Sequence, residues 1–370
     1  VTTLADGGPG SLRATVAGAA SGAVIGFAPS LAGKTIALST GPITLATTPI
    51  TIAGTCPAIT ITWSAPAAGQ HMIAIGANVN ATLSGLTLTS TNAAAIGVGG
   101  GASALIDNVT ITGSTAAGCA AIDGAQAPAH IALSSSVVSA NTSTGDGIVC
   151  NTGQLNVVTT SITGNTTGGF GAVFNSGTGA TNFSESVVAQ NKAQNGGASA
   201  TTGGTFAATN STFYANSASG SGGAFYVSAA GAAALDYVTV ASNAAPDAQA
   251  VAAAAQSLTL HNTLLTNAAT PGESDTAAAL DSLGYNFVTA PGTSTGFVAT
   301  DILKAGVPLY PFGNYGGATN SLPPSLGAAV IDAADPGADE CPSVDQRGVK
   351  RPQGSRCDIG AIEYRFSDPP

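Results

Sequence analysis

A short strand followed by a turn recurs along the chain at a nearly constant interval, and this period constrains the fold more than any other feature of the sequence. The segments are Leu86-Thr87-Leu88-Thr89, Val109-Thr110-Ile111-Thr112, Ser136-Val137-Val138-Ser139, Thr160-Ser161-Ile162-Thr163, Ser186-Val187-Val188-Ala189, Ser211-Thr212-Phe213-Tyr214, Val238-Thr239-Val240-Ala241 and Asn262-Thr263-Leu264-Leu265. With Leu88, Ile111, Val138, Ile162, Val188, Phe213, Val240 and Leu264 taken as equivalent, the steps are 23, 27, 24, 26, 25, 27 and 24 residues. A mean near 25 is the length of one coil of a parallel β-helix, in which two or three short strands alternate with turns and coils stack at ~4.8 Å. The predicted class is all-β, a single-stranded parallel β-helix.

Alternation within each strand directs the equivalent residue and the one two before it inward, and the residues between them outward. Three positions after the inward residue comes a column of Asn141, Asn165, Asn191, Asn216, Asn243 and Asn267, preceded by Thr91 and Ser114. Asn tolerates the left-handed conformation of a tight corner, and its amide bonds to amides stacked above and below. The column therefore reads as a structural ladder, not as a ligand site. Linkers such as Gly97-Val98-Gly99-Gly100-Gly101 and Gly220-Ser221-Gly222-Gly223 are small-residue punctuation without phosphate-loop spacing.

Only 8% of the 370 residues are charged, and 49 are Gly. The chain is too apolar for intrinsic disorder, and it has no unbroken apolar run long enough to span a membrane. Nineteen acidic and nine basic side chains give a formal net charge of −10. Between about Thr40 and Thr300 the one permanent cation is Lys192; the others are Arg13, Lys34, Lys304 and the cluster Arg347, Lys350, Arg351, Arg356 and Arg365. Nucleic acid needs a basic stripe, so it is excluded as a partner, and polyanionic sugars are disfavoured.

Exposed solenoid ends require caps. Ser11 to Ala20 reads as a short amphipathic helix with Ser11 as N-cap. The period is lost after about Asp281, and the tail from Pro308 to Tyr364 is rich in Pro, Gly and Asp. The predicted organisation is an N-terminal cap over 1–40, coils over 41–300 and an irregular C-terminal cap over 301–370. Val1 reads as a processed or trimmed start. Of five cysteines, none has metal spacing; the preferred pairs are Cys341 with Cys357, closing a short loop worth ~3 kcal/mol, and Cys119 with Cys150 across neighbouring repeats. Cys56 is left over, and an exported, oxidising destination is expected.

Catalytic constellations are sparse. Asp107 and Asp236 share a register five coils apart, roughly 24 Å, too far for the paired carboxylates of glycoside hydrolysis. Glu273 and Asp275, two residues apart, are the close pair but read as a solvated turn. His71, His130 and His261 fall at unrelated registers, and with no Arg, one Lys and no calcium carboxylate cluster the coils offer little for lyase chemistry. No metal or cofactor is expected; calcium is considered only in the acidic run Asp332 to Glu340, which has no recognised ligand spacing. Trp63 shares the parity of Ile59 and Ile61 and reads inward, leaving Tyr214 as the outward aromatic of the clear strand columns. Early coils carry Thr60/Thr62, Thr87/Thr89 and Thr110/Thr112 outward, the pattern of some ice-binding solenoids, which later coils break. There the outward strip of Val137, Val187, Ala189, Tyr214, Ala241 and Leu265 is apolar and reads as a contact surface.

Two segments carry a family resemblance. Gly10-Ser11-Leu12-Arg13, with Ile25-Gly26-Phe27 and Leu31-Ala32-Gly33-Lys34-Thr35-Ile36, resembles the start of exported bacterial right-handed β-helix proteins that open with a "CSLR" motif, Gly10 replacing the motif's Cys. Asp345-Gln346-Arg347-Gly348, Arg351-Pro352-Gln353-Gly354 and Cys357-Asp358-Ile359-Gly360-Ala361-Ile362-Glu363-Tyr364 resemble the terminal signature of choice-of-anchor Q domain proteins. With the repeats, the resemblance covers nearly the whole chain. It implies a secreted, pectate-lyase-like, right-handed solenoid, often followed by a surface-sorting tail that is expected here to have been cleaved or omitted. The signature residues read structurally, with Arg347 expected to pair with Asp358 or Glu363.

The expected function is that of a non-catalytic extracellular or bacterial cell-surface protein, in adhesion or in a matrix or fibre. Self-association into an oligomer or filament, or binding of a polysaccharide or other surface ligand, would supply its partners. The alternatives are a polysaccharide-active lyase or glycosidase and an ice-binding solenoid.

Overall fold

The structure is a computed structural model that describes residues 1–366 except 66–67, 127, 255, 268–273, 278 and 338–340. It is a single-stranded parallel β-helix. One coil shows the plan: Ser103–Asp107 lies on a first wall, Thr110–Thr112 on a second, the two-residue strand Thr115–Ala116 follows, and Ile122–Gly124 lies on a third. The next coil pairs with it in parallel on each wall, Ser103 with His130, Thr110 with Val137 and Ile122 with Val149. The first two walls form one continuous sheet and the third a separate ten-stranded sheet among the described residues.

Alternating sequence sets the walls. Along Ser103–Asp107, Ala104 and Ile106 are buried while Leu105 faces solvent. On the second wall Ile61, Leu88, Ile111, Val138, Ile162, Val188, Phe213 and Val240 stack in one inward column, coil upon coil. Val240 then pairs with Leu265, not Leu264. Two adjacent leucines made the last equivalence ambiguous in sequence; Leu265 is core, and Leu264 takes the outward place beside Thr239. Trp63 points inward and is buried. Phe206, Phe213 and Phe225, one from each wall, meet inside with centroids 4.5 to 6.2 Å apart.

Two corners per coil use left-handed backbone. Between the first and second walls this residue is Asn108, Ser135, Thr159, Glu185, Asn210, Tyr237 or Asn262; after the second wall it is Gly113, Ala140, Gly164, Gln190, Ala215 or Ser242. The ladder asparagines are therefore not the left-handed residues; Asn141, Asn165, Asn191, Asn216 and Asn243 each follow one. Their role is hydrogen bonding. The Asn165 N–H and Nδ2 both donate to Oδ1 of Asn191 at 2.9 Å, and Nδ2 also donates back to the Val138 carbonyl at 3.0 Å. Each Asn thus ties three coils, and Asn141, Asn191, Asn216 and Asn243 repeat the pattern. The column begins with Ser114, whose N–H donates to Asn141 Oδ1, and ends where the Asn267 N–H donates to Asp275 Oδ1 at 2.9 Å. Asp275, expected in a solvated turn, is fully buried as the last acceptor; Glu273 lies outside the described residues.

A second ladder, of hydroxyls, runs along the corner before the second wall. The N–H groups of Val109, Ser136, Thr160 and Ser186 donate to the hydroxyls of Ser136, Thr160, Ser186 and Ser211 on the following coils. Val238 interrupts it, and it resumes where the Val238 N–H donates to Thr263, continuing through Asn286 to the carboxylate of Asp301.

At the N-terminal end, α1 (Leu12–Ala17) is capped by Ser11, whose Oγ accepts the Ala14 N–H at 3.1 Å, and it buries Leu12 and Val16 over the first coil. Gly10 has φ +80°, and a Cβ there would meet the Thr2 hydroxyl at 2.3 Å, so no Cys fits this position without displacing Thr2. Ala23–Ile25 and Thr35–Leu38 already pair with the next coil, so the solenoid starts inside 1–40. The other end also differs from expectation. Beyond about residue 308 the chain runs back along the outside of the second wall, held by contacts 122 to 141 residues away in sequence.

Replacing Asn191 by Ala removes an acceptor for two donors of Asn165 and a donor to Ile162 and Asn216, all buried. A loss of about 2–4 kcal/mol is expected from the denaturation midpoint, against about 0.5 kcal/mol or less for the exposed Asn156→Ala.

Candidate functional site

The apolar strip on the second wall is not an open surface. Val137 is 38% exposed, but Val187, Ala189, Ala241 and Leu265 are at most 2% exposed. Leu265 is covered by the core, as its corrected register requires; the other three lie under the returning tail. Tyr214 stacks on Phe312 of the tail at 4.3 Å, 14° from parallel. Thr212 donates to Gln346, Thr319 donates to the Glu185 carbonyl at 3.2 Å, and the Ala361 N–H donates to Thr239 Oγ1 at 3.0 Å. Tyr237 and Leu264 pack with Val330, Cys357 and Ile359 in a second core. Val187, Ala189 and Ala241, with Thr212 and Thr239, belong to the footprint of the protein's own tail.

Five of the tail's charged side chains, Asp345, Arg347, Arg351, Asp358 and Glu363, are buried. Arg347 pairs with Asp345 at 3.0 Å, and Arg351 with Glu363 at 3.1 Å, all four side chains being almost fully enclosed. Arg347 thus takes Asp345 as its carboxylate partner rather than Asp358 or Glu363, although its Nη2 donates to the Glu363 carbonyl. Arg351 also reaches Asn210 of the coils and lies 4.8 Å over the Tyr237 ring. His261 stands at the seam, 3.2 Å from Asp236 of the coils and 3.5 Å from Asp335 of the tail. Burial, reinforced by the neighbouring Glu363 charge, pushes the Asp358 carboxyl up to about 7. Burial also raises Glu363. The disulfide Cys341–Cys357 closes the tail, Cys119–Cys150 joins neighbouring coils, and Cys56 is free and exposed.

The third wall carries the candidate site. Its outward column, read from strand register, is Gly97, Asp123, Cys150, Phe174, Ala200, Tyr226, Ala252 and Ala277. Phe170, in the turn before this wall, stacks on Phe174 at 5.0 Å and 5°, and on Tyr226 at 6.0 Å and 30°. Ala200 is the small residue between Phe174 and Tyr226 in the column. The three half-exposed rings form one pier with a hollow on either side. The first, about 170 Å³, is lined by Phe174, Asp146, Thr152, Ser176 and the Cys119–Cys150 bridge. The second, about 280 Å³, is lined by Tyr226, Asp247, Ser221 and Ser228. Neither lining holds a cation.

Farther along the column, His71 lies across Gly97, where a Cβ would sit 2.2 Å from its ring, and its Nε2 meets Asp123 Oδ2 at 2.9 Å. The His71 hydrogen bond, working against desolvation, lowers the Asp123 pKa. Asp123 and Asp146 are on adjacent coils but do not converge. Asp123 is engaged by His71 and by the Ala125 N–H, and the outward position beside it is taken by the disulfide-bonded Cys150. His130 meets Gln154 at 2.9 Å, and Asp107 accepts from Ser134 at 2.7 Å. Among the described residues, no three His, Cys, Asp or Glu side chains are grouped to hold a metal ion. Of the acidic run considered for calcium, Asp332 accepts the Arg356 N–H, and Asp339 and Glu340 lie outside the described residues.

Sequence reasoning missed the aromatic pier. Its strands are three residues long, too short to display alternation, and Phe170 lies in a turn. The signal available was Phe174 and Tyr226 two coils apart at one register, with Phe170 four residues before the first.

The fold matches the crystal structure of pectate lyase Pel9A with a TM-score of 0.56, over 96% of this chain and 91% of that one, at 14% identity. At that identity the likeness is one of fold. A variant of the alginate lyase AlyGC aligns with a TM-score of 0.30 and 12% identity, over 100% of this chain and 60% of that one. No protein-family model matches the chain, and no curated protein matches it significantly.

The raised carboxyls give the tail a pH dependence. Asp358 has a folded pKa near 7 against an ordinary 3.8, so its stabilisation is fully present below the lower value and is lost as pH rises through the higher one. Glu363 acts in the same direction. The thermal midpoint is expected to be higher at about pH 6 than at about pH 8, and Asp358→Asn is expected to shrink that difference.

Proposed function

We propose that the protein is a non-catalytic, exported surface protein that acts in adhesion or in an extracellular matrix by holding a partner along its third wall. One observation carries the reading: the later coils of the second wall are covered by the protein's own tail, while the third wall keeps half-exposed aromatic rings beside two open hollows. Two disulfides fit an oxidising destination. Among the described residues no helix is long and apolar enough to cross a membrane. Self-association through the apolar strip is no longer part of the proposal, because the tail or the core covers most of it.

The acidic side chains near the hollows favour binding over turnover. Glycoside hydrolysis requires two carboxylates facing one bond ~5 to 10 Å apart. Each hollow presents one, Asp146 or Asp247, and these lie four coils apart, roughly 19 Å. The His71–Asp123 pair is the one feature that favours the polysaccharide-active alternative, since a carboxylate-oriented imidazole is a competent general base.

Incubation with a panel of polysaccharides is expected to release no new reducing ends and no unsaturated products above the buffer control. Release that disappears in both His71→Ala and Asp123→Ala would replace the adhesion reading with the enzymatic one.

A further inference from the structure

We infer that the two hollows of the third wall are subsites for one uncharged, hydroxyl-rich polysaccharide chain lying along the solenoid axis. The inference deepens the proposed function and rests on it only in taking the third wall as the binding face. Each hollow combines the same two elements, one aromatic ring and one carboxylate: Phe174 with Asp146, and Tyr226 with Asp247. The axial C–H face of a pyranose is apolar and packs on an aromatic ring, while its equatorial hydroxyls donate to carboxylate oxygens. A repeated ring-and-carboxylate pair is therefore complementary to a repeating neutral sugar.

Charge decides against the acidic alternative. A uronate in either hollow would approach an aspartate and find no cation in the lining. The one basic residue of these coils, Lys192, is on the short strand Lys192–Ala193 and lines neither hollow. Two further features favour an extended chain over a small ligand. The hollows lie on one wall of the solenoid, four coils or roughly 19 Å apart, and the parallel stack fixes that spacing before any ligand binds. The Phe170 ring fills the interval, stacked on Phe174 on one side and Tyr226 on the other.

Affinity electrophoresis of the whole chain through gels containing hydroxyethyl cellulose, galactomannan or laminarin, and separately polygalacturonate or alginate, tests the inference. Retardation by at least one neutral polymer and by neither acidic one is expected. Phe174→Ala and Tyr226→Ala should each weaken that retardation about tenfold. Tyr226→Trp should retain it, and unchanged melting curves establish that the variants are folded. Asp146→Asn and Asp247→Asn should weaken binding of the neutral polymer as well. Retardation by acidic polymers alone, no retardation by any neutral polymer, or full retardation of the Phe174→Ala, Tyr226→Ala double variant would overturn the inference. Product release from the same mixtures is read separately: binding with release removes the non-catalytic reading and leaves the ligand class standing, whereas failure to bind without release removes the ligand class alone.

Discussion

Every level of this molecule depends on how a buried corner N–H finds an acceptor on the next coil. Strand ladders satisfy the walls, but at the two corners that flank the second wall the backbone commonly turns left-handed and its donors leave the sheet. An unpaired buried N–H costs about 1–3 kcal/mol, and the loss would recur on every coil. Asn answers it because one side chain both accepts and donates: Oδ1 takes the N–H and Nδ2 of the preceding ladder residue, and Nδ2 returns a bond to the preceding coil and passes another onward. Ser and Thr hydroxyls do the same at the other corner. These contacts lock the register of successive coils. Register in turn decides which residues form outward columns, since a slip of one position would exchange the faces of a strand.

A ladder of groups that both give and receive must stop somewhere, and its last member needs an acceptor with nothing to pass on. A carboxylate has that character. Asp275 ends the Asn column and Asp301 ends the hydroxyl column, both supplied by chain near the C-terminal end of the stack. The tail that follows solves a different problem. It covers the later second-wall positions, Val187, Ala189, Thr212, Thr239, Ala241 and Leu264 among them, and it brings five of the nine basic residues with it. Two of them, Arg347 and Arg351, pair with Asp345 and Glu363 of the same segment. A buried ion pair earns little net stability, but its geometry fixes how the irregular segment folds on the wall.

Period, inward parity, Trp63, the Ser11 cap and both disulfide pairs were legible because each is local or repeats. The inward column could be followed residue by residue from Leu88 to Val240; it failed at Leu264 and Leu265, where two identical side chains left parity without a signal. The tail's docking was illegible for a different reason. Its contacts join segments more than a hundred residues apart and obey no period, so the apolar strip could be seen while its cover could not. The strip was read as an outside partner's surface when the partner was already in the chain. Asp275 was misread because an acceptor that terminates a ladder occurs once, and a single event has no periodicity. The third wall hid its rings in an otherwise small column of Gly, Ala and Cys.

The placement of charge connects the tail to the open wall. A solenoid this poor in cations has few means of neutralising acidic side chains, and the tail places its arginines against its own carboxylates along the second wall. Asp146 and Asp247 are left on the third wall with no basic residue in their hollows. A carboxylate with no cation in its hollow, beside an aromatic ring, is poorly suited to proton transfer between paired acids, and it repels anions. It is well suited to hydroxyl groups that donate without carrying charge. Because the ring positions are fixed by the same ladders that fix the coils, a chain that fits them meets a surface already ordered, and the conformational cost of binding falls mainly on the ligand.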